Sequence, residues 1–181
     1  LNSYDMYASH AYTLPGFYQV TLTITDTTGC VVSGSHDITV NPLPVANFDT
    51  DDWLCEDSPV QFTDQSYAPA GYIHRWEWIF GDGDTLIINH PDNQNVQHTY
   101  EVSGTYNVTL RITNSDSCNA EVTNSVVINP APVANFSFEH NCAGNLTQFT
   151  DLSQLAGGGN VTSWMWNFGD PASGVANTST L

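Results

Sequence analysis

The sequence predicts an all-β protein that is built from tandem β-sandwich repeats of about 88 residues. Three observations predict this fold class. Apolar and polar residues alternate along many short segments, turn-forming residues separate those segments, and the whole pattern returns at a fixed interval along the 181 residues. Many short strands with regular turns are typical of a two-sheet sandwich.

The alternation is clearest in the segment 106–112, where every second residue is apolar. The segments 18–24 and 76–80 alternate in the same way. A period of two indicates a strand with one buried face, because successive side chains point to opposite sides of a sheet. The glycine-rich turn 81–83 follows one of these segments and favours a hairpin there.

Each of these segments has a counterpart 88 residues away. The matched positions are His10 with His98, Tyr12 with Tyr100, Gly16 with Gly104, Tyr18 with Tyr106, Cys30 with Cys118, Pro44–Phe48 with Pro132–Phe136, and Trp76–Asp82 with Trp164–Asp170. Cys55 and Cys142 match at an interval of 87, which predicts a one-residue gap in a loop. So many matches at one interval indicate a true internal repeat.

The repeat predicts three domains. Residues 1–42 would hold the C-terminal half of one repeat, residues 43–130 a complete repeat, and residues 131–181 the N-terminal part of a third. The linkers 41–44 and 129–132 each contain two prolines. Such linkers favour stiff, extended spacing between neighbouring repeats.

The charge balance excludes some functions. The chain has 19 acidic residues against Arg75 and Arg111, with no lysine, and its net charge is −17. Nucleic acids and anionic membranes require clustered basic residues, so we expect neither as a partner. No apolar segment is long enough to insert into a membrane. The four cysteines form no CxxC pair, which argues against zinc and favours disulfides in an oxidising compartment.

The repeat motifs resemble the PKD (polycystic kidney disease) domain, an immunoglobulin-like β-sandwich. They are the turn Trp78-Ile79-Phe80-Gly81-Asp82-Gly83, the pair His98-x-Tyr100, and the strand motif Gly104-x-Tyr106-x-Val108-x-Leu110. The resemblance implies a non-catalytic module of extracellular or cell-surface proteins. The cysteine positions and the Val-Ala-Asn-Phe opening are similar to PKD arrays of large bacterial adhesins that use type IX secretion.

The residues that we expect to build the fold are inward-facing side chains, one glycine–aspartate turn and one histidine–tyrosine pair. They are Trp76, Trp78, Phe80, Gly81, Asp82, His98, Tyr100, Gly104, Tyr106, Val108 and Leu110. Asp82 and Asp84 resemble a catalytic carboxylate pair, but aspartate beside glycine more often satisfies turn amides. His98 lacks a nucleophilic serine or cysteine at a recognisable elbow. We therefore expect no catalytic residue, no cofactor and no enzymatic activity.

The acidic run around Trp53 is a weak candidate for calcium. The run spans residues 49–57, its calcium candidates are Asp49, Asp51, Asp52 and Asp57, and hard oxygen ligands in a loop suit Ca²⁺. The spacing is not that of an EF-hand, and a solvated acidic loop explains the run more simply. Trp53 and Tyr72 are aromatic residues in predicted loops, where they would either stack on sugars or be partly buried.

The cysteines are disulfide candidates at Cys30, Cys55, Cys118 and Cys142. A bond within the complete repeat, Cys55 to Cys118, would have to join opposite ends of the sandwich. A strand spans roughly 20 Å, whereas a disulfide needs Cα atoms within about 7 Å. We therefore predict that the first-turn cysteine of each repeat bonds to the pre-final-strand cysteine of the next. A long first loop that folds back would instead allow the bond within one repeat.

Two functions remain open at the level of sequence. The first is a stiff spacer, stalk or filament segment of a large extracellular or cell-surface protein, whose partners are the neighbouring repeats. The second is a carbohydrate- or protein-binding accessory module of a secreted hydrolase, whose partners are surface glycans or other surface proteins.

Overall fold

The structure is a computed structural model that describes residues 7–52, 54–172 and 178–180. The described residues form antiparallel strands joined by turns, with no α-helix among them. The strands are β1 (Gly16–Thr25), β2 (Val31–Val40), β3 (Phe48–Thr50), β4 (Pro59–Asp64), β5 (Ile73–Ile79), β6 (Thr85–Asn89), β7 (Val96–Thr99), β8 (Gly104–Asn114), β9 (Asn119–Ile128), β10 (Phe136–Phe138), β11 (Phe149–Asp151), β12 (Met165–Asn167) and β13 (Thr178–Thr180). None of the described residues belongs to a helix with the length and apolarity needed to cross a membrane.

Strands β3 to β9 form two sheets. One sheet has the order β3-β4-β7 and the other has the order β6-β5-β8-β9. The remaining strands form three two-stranded sheets, β1-β2, β10-β11 and β12-β13. The all-β sandwich predicted from the alternation is confirmed, and so is the immunoglobulin-like form that the resemblance implies. The boundaries of the three repeats remain a prediction.

The chain divides into two compact units. The first comprises Leu1–Asp51, Gln61–Gln97 and Asn107–Ser125, and the second comprises Asp52–Val60, His98–Tyr106 and Val126–Leu181.

The core of the first unit is aromatic. Phe62 and Trp78 are fully buried and Phe48 and Phe80 nearly so. The Phe48 and Trp78 rings meet edge to face at 5.2 Å, and Phe62 lies 5.7 Å from Trp78 and 5.4 Å from Phe80. Such edge-to-face and tilted pairs are favourable beyond the area that they bury. Val108 and Leu110 on β8 add to this core. Both are buried, which confirms the buried face that the alternation of β8 predicts.

The predicted histidine–tyrosine pair lies in the second unit. The Tyr100 ring is fully buried, and His98 meets it edge to face at 4.6 Å. Tyr106 packs on Tyr100 at 4.3 Å, and its hydroxyl donates to the Val102 carbonyl at 2.7 Å. Tyr106 is therefore half-buried rather than fully buried, because the hydroxyl reaches an exposed backbone carbonyl.

The internal repeat also appears in local hydrogen bonding, at an interval of 88 residues, or of 87 between Asp64 and Asp151. Tyr18 donates to the Leu14 carbonyl at 2.8 Å, which matches the bond of Tyr106. The indole of Trp76 donates to Asp64 at 2.9 Å, and that of Trp164 donates to Asp151 at the same distance. In the latter case the hydrogen bonds from Ser153 and from Trp164 lower the pKa of Asp151. Equivalent sequence positions thus make equivalent bonds.

Candidate functional site: a clamped linker

The residues that follow β9 are bonded to the loop that precedes β4. The Asn129 amide donates to the Leu54 carbonyl at 2.7 Å, and the Asn129 side chain donates to the same oxygen at 3.1 Å. The Glu56 amide donates in return to the Asn129 carbonyl at 2.9 Å. Cys55 and Asn129 form a parallel bridge between these bonds. The start of the linker therefore has the bonding of a short sheet.

The side chain of Glu56 extends this contact. One carboxylate oxygen accepts the Ala131 amide at 2.9 Å, and the other accepts the Ser103 amide at 2.7 Å. Hydrogen bonds from the Ala131 and Ser103 amides hold the pKa of Glu56 below its ordinary value, because they favour the charged form. A single carboxylate thus bonds the linker and the turn before β8.

The far end of the linker is bonded to the residues that follow it. Val133 and Gln154 exchange two backbone hydrogen bonds, both of 2.9 Å. A Cβ atom on Gly157 would lie only 2.9 Å from Cγ of Pro130. Glycine therefore allows the loop after β11 to approach the linker more closely than any other residue would.

We call the hydrogen bonds that residues 129–133 make to their neighbours the clamp. The prolines explain why the clamp leaves no backbone amide of this segment unbonded. Pro130 and Pro132 have no amide hydrogen and a fixed φ, so they leave only three amide donors between positions 129 and 133. Asn129 donates to Leu54, Ala131 to Glu56 and Val133 to Gln154. Every available amide of the segment thus bonds to protein, which restricts its rotation.

The glycine–aspartate turn between β5 and β6 has a structural role. Asp82 accepts the Asp84 amide at 3.0 Å, and the Phe80 amide donates to the Asp84 carbonyl at 3.1 Å. Gly81 has a φ of +87°, and a Cβ there would lie 2.8 Å from the Asn107 carbonyl oxygen. Glycine is required at this position for both reasons.

The calcium candidates make local bonds. Asp51 accepts the Gln61 amide at 2.8 Å, and Asp49 accepts the Thr50 amide at 2.9 Å. Asp57 has a positive φ of 58° and donates its amide to the Tyr100 carbonyl, whereas Asp52 is exposed. Several aspartates of the acidic loop therefore have a structural role, because they make hydrogen bonds with the backbone. Calcium binding remains a prediction.

The two loop aromatics have different outcomes. Trp53 lies outside the described residues. Tyr72 is exposed, and its ring lies 5.2 Å from the ring of His90. The sugar-stacking role of either residue remains a prediction.

All four cysteines, which lie within the described residues, are free in the structure. Cys55 pairs with Asn129 just after the end of β9, whereas Cys118 lies just before its start. Ten extended residues span roughly 30 Å, far beyond the reach of a disulfide. This separation agrees with the argument against a Cys55–Cys118 bond. The predicted bonds between successive repeats remain untested.

Sequence reasoning missed the clamp itself. Glu56 belonged to the acidic run that we considered for calcium, and nothing in its immediate sequence marks it as a partner of Ala131. The proline spacing of the linker was the one available signal, since it predicts stiffness but not the bonding partner.

A polar cleft of about 440 Å³ also lies in the first unit. Its lining is mostly of side-chain amides and hydroxyls: Gln61, Thr63, Asn93, Asn95, Val96 and Gln97. Gln61 donates to the Phe62 and Val96 carbonyls, and Asn95 accepts the Asp64 amide. Much of the polar lining is therefore already used to hold β4 and β7.

Two antiparallel sheets over an aromatic core define an immunoglobulin-like β-sandwich module. Residues 41–128 match the family model of the PKD domain. PKD domains are non-catalytic modules.

Three solved structures are similar to the chain. The PKD1 domain of Vibrio anguillarum Epp is 24% identical, with 49% of this chain and 96% of that chain covered and a TM-score of 0.42. The PKD1 domain of the Vibrio cholerae metalloprotease PrtV is 24% identical, with 48% and 98% covered and a TM-score of 0.41. A structure described for carbohydrate-binding modules of the β-sandwich superfamily is 27% identical, with 55% and 39% covered and a TM-score of 0.48.

Proposed function

We propose that this chain is a spacer segment of an extracellular or cell-surface protein, in which clamped linkers hold successive sandwich repeats in a stiff row. The observation that carries the proposal is the Glu56 carboxylate, which bonds Ala131 of the linker and Ser103 of the preceding sandwich. A spacer keeps its two ends apart only if the linkers between its repeats resist bending. A linker that is meant to be flexible does not require such bonds.

The charge of the chain supports the same function. A net charge of −17 with no lysine keeps like-charged repeats apart and soluble at high local concentration. The recurrence of the sequence motifs at an interval of 88 residues suits a protein that gains length by copy number. We propose further that the whole protein is a large bacterial adhesin that is exported by type IX secretion.

Cysteine bonds between repeats would reinforce the joint. Cys55 forms a β-bridge with Asn129 through the hydrogen bonds of its neighbours Leu54 and Glu56, so it lies beside the start of the linker. In an oxidising compartment it would bond to the pre-final-strand cysteine of that repeat. A covalent link there would add resistance to pulling.

Double electron–electron resonance, which measures the distance between two spin labels, tests the spacer function. Spin labels would be placed at Ser125 on β9 and Ser137 on β10, with the native cysteines changed to serine. We expect a narrow distance distribution that broadens in Glu56→Ala and is unchanged in the matched control Glu101→Ala. A broad distribution in the parent protein would overturn the proposal.

A second candidate function is glycan binding at the polar cleft. Gln97 and Asn93 line it beside Thr63, and amides and hydroxyls are the groups that recognise sugars. Calorimetric titration with soluble oligosaccharides tests this function. Binding that Gln97→Ala abolishes would favour it, and absence of heat across a broad glycan set would exclude it.

A further inference from the structure

Strand β6 is an edge of the four-stranded sheet. The order β6-β5-β8-β9 gives β6 one neighbour, and within the described residues no strand pairs with its other side. The strand lies in the middle of the chain, between two described strands, so its open edge does not arise from where the sequence begins or ends. An edge strand presents a row of backbone groups that can pair with another strand.

The hydrogen bonds to β5 identify the residues of β6 that face the open side. The Phe80 amide donates to the Asp84 carbonyl at 3.1 Å, and the His90 amide donates to the His74 carbonyl at 2.9 Å. Hydrogen-bonded pairs alternate along an antiparallel ladder. In the register of β5 with β6, the even-numbered residues of β6 therefore bond to β5.

The odd-numbered residues of β6 direct their backbone groups toward the open side. They are Thr85, Ile87 and Asn89. The Asn89 carbonyl accepts the Asp92 amide at 3.0 Å, which uses one of the two lone pairs of that oxygen. Ile87 is the central residue of the three, so the outward pattern is symmetric about it.

The side chains of β6 give this edge none of the usual protection. Natural sheet edges are protected by lysine, proline, bulges or inward charges. The segment 85–89 contains no charged residue and no proline, and its register with β5 has no bulge. Leu86 is 41% exposed and Ile87 is 48% exposed. β6 is thus an uncharged, apolar edge in a chain whose net charge is −17.

We propose that β6 pairs antiparallel with β6 of a second copy of the chain, about a two-fold axis at Ile87. In this register Ile87 faces itself, and Thr85 faces Asn89 of the second copy. It is the one antiparallel register in which all three outward residues meet outward residues. Such a contact uses the same surface on both chains and closes as a dimer. The inference is independent of the spacer function, because it concerns the lateral pairing of two chains.

The side chains at the remaining positions explain why the occupant is a second copy. The same register sets Leu86 opposite Ile88 of the second copy, and Asp84 opposite its His90. These are non-hydrogen-bonded pairs, in which side chains approach most closely. Leu86 lies beside the buried Trp78 on β5, so the second Ile88 would cover its exposed side.

The two ends of β6 are complementary to each other. Asp84 and His90 are both exposed, and antiparallel pairing brings the carboxylate of one chain to the imidazole of the other. An imidazole N–H donates to a carboxylate, and the two-fold axis repeats this bond at the opposite end of the pair. Hydrogen bonding, apolar surface and the symmetry of the outward residues thus match β6 to itself.

Sedimentation equilibrium of the whole chain in reductant measures this association. Both copies carry a charge of −17, which opposes their approach. The experiment therefore uses about 1 M salt, where the Debye length is about 3 Å. We expect the average mass to rise with protein concentration up to about 1 mM and to approach that of a dimer without exceeding it.

Ile87→Lys tests the centre of the contact. It sets two ammonium groups against each other at the two-fold axis and should weaken association at least about 30-fold. The matched control is Val127→Lys on β9, the opposite edge of the sheet, where the valine is 53% exposed. The control should leave association within about threefold. Both variants reduce the net negative charge equally, and urea denaturation shows whether each is folded.

Disulfide trapping tests the register. The native cysteines are changed to serine, and Thr85→Cys and Asn89→Cys are prepared as separate variants. When the two are mixed and oxidised, they should link to each other, because paired Cα atoms lie about 5.5 Å apart. Either variant alone should link far more slowly, since its two copies lie four residues apart along the strands, roughly 13 Å.

The proposal is overturned by a parent chain that stays monomeric throughout this concentration range or grows beyond the dimer. Equal weakening by Val127→Lys and Ile87→Lys would show that the contact does not use β6. Linkage of Thr85→Cys to itself as fast as to Asn89→Cys would show that the strands do not pair about Ile87.

Discussion

The carboxylate of Glu56 accepts the backbone amide of Ala131, 75 residues further along the chain, at 2.9 Å. The second oxygen of the same group accepts the Ser103 amide. Because Pro130 and Pro132 donate nothing, Ala131 offers the only amide between them. One acidic side chain therefore decides whether the middle of this linker is bonded or free.

The pH dependence of the linker follows from this bond. The folded pKa of Glu56 lies below its ordinary value, so the bond contributes fully above the ordinary pKa and is lost as pH falls through the folded pKa. We expect the spin-label distance distribution across the linker to broaden in that acidic range. Glu56→Gln should be broad already at neutral pH and change little with acid. An equal response to acid in both proteins would contradict this assignment.

The Trp78 ring is the centre of the aromatic core. Its side chain is fully buried and contacts Phe48 and Phe62. Trp78→Ala should lower the free energy of unfolding by about 3–5 kcal/mol, since it leaves a large cavity. Urea denaturation measures the change, with Glu77→Ala, on the other face of β5, as the control. A loss no larger than that of the control would show that the core lies elsewhere.

Gly157 tests the second half of the clamp. An added Cβ would lie 2.9 Å from Pro130, so Gly157→Ala must displace either the linker or the loop. We expect a shifted or broadened distance between labels at Ser125 and Ser137. Gly34→Ala is the control, because a Cβ there meets nothing within 4 Å. An unchanged distribution in Gly157→Ala would mean that the loop does not restrain the linker.

The free cysteines allow a covalent test of the predicted pairing. We expect treatment with oxidised glutathione to form no bond between Cys55 and Cys118, because they lie near opposite ends of β9. Peptide mapping by mass spectrometry identifies any pairs that form. A Cys55–Cys118 bond would overturn the predicted pairing.

Much of the fold was predictable because it depends on local pattern. The alternation in 106–112 predicted a strand with a buried apolar face, and Val108 and Leu110 are buried. The exception is Tyr106, whose hydroxyl reaches the Val102 carbonyl and keeps the side chain half-exposed. Period two specifies which face a residue occupies, but not how far a long polar-tipped side chain extends toward the surface.

The sequence by itself determined the all-β fold, the aromatic core and the restricted backbone of the two linker prolines, because alternation, turn residues and proline act over a few neighbouring residues. Only the tertiary structure decided the role of Glu56. Its partners Ser103 and Ala131 are distant in sequence, and hydrogen bonds between distant residues depend on how the strands bring them together. The same reason applies to Gly157, which has no side chain and can therefore lie close to Pro130.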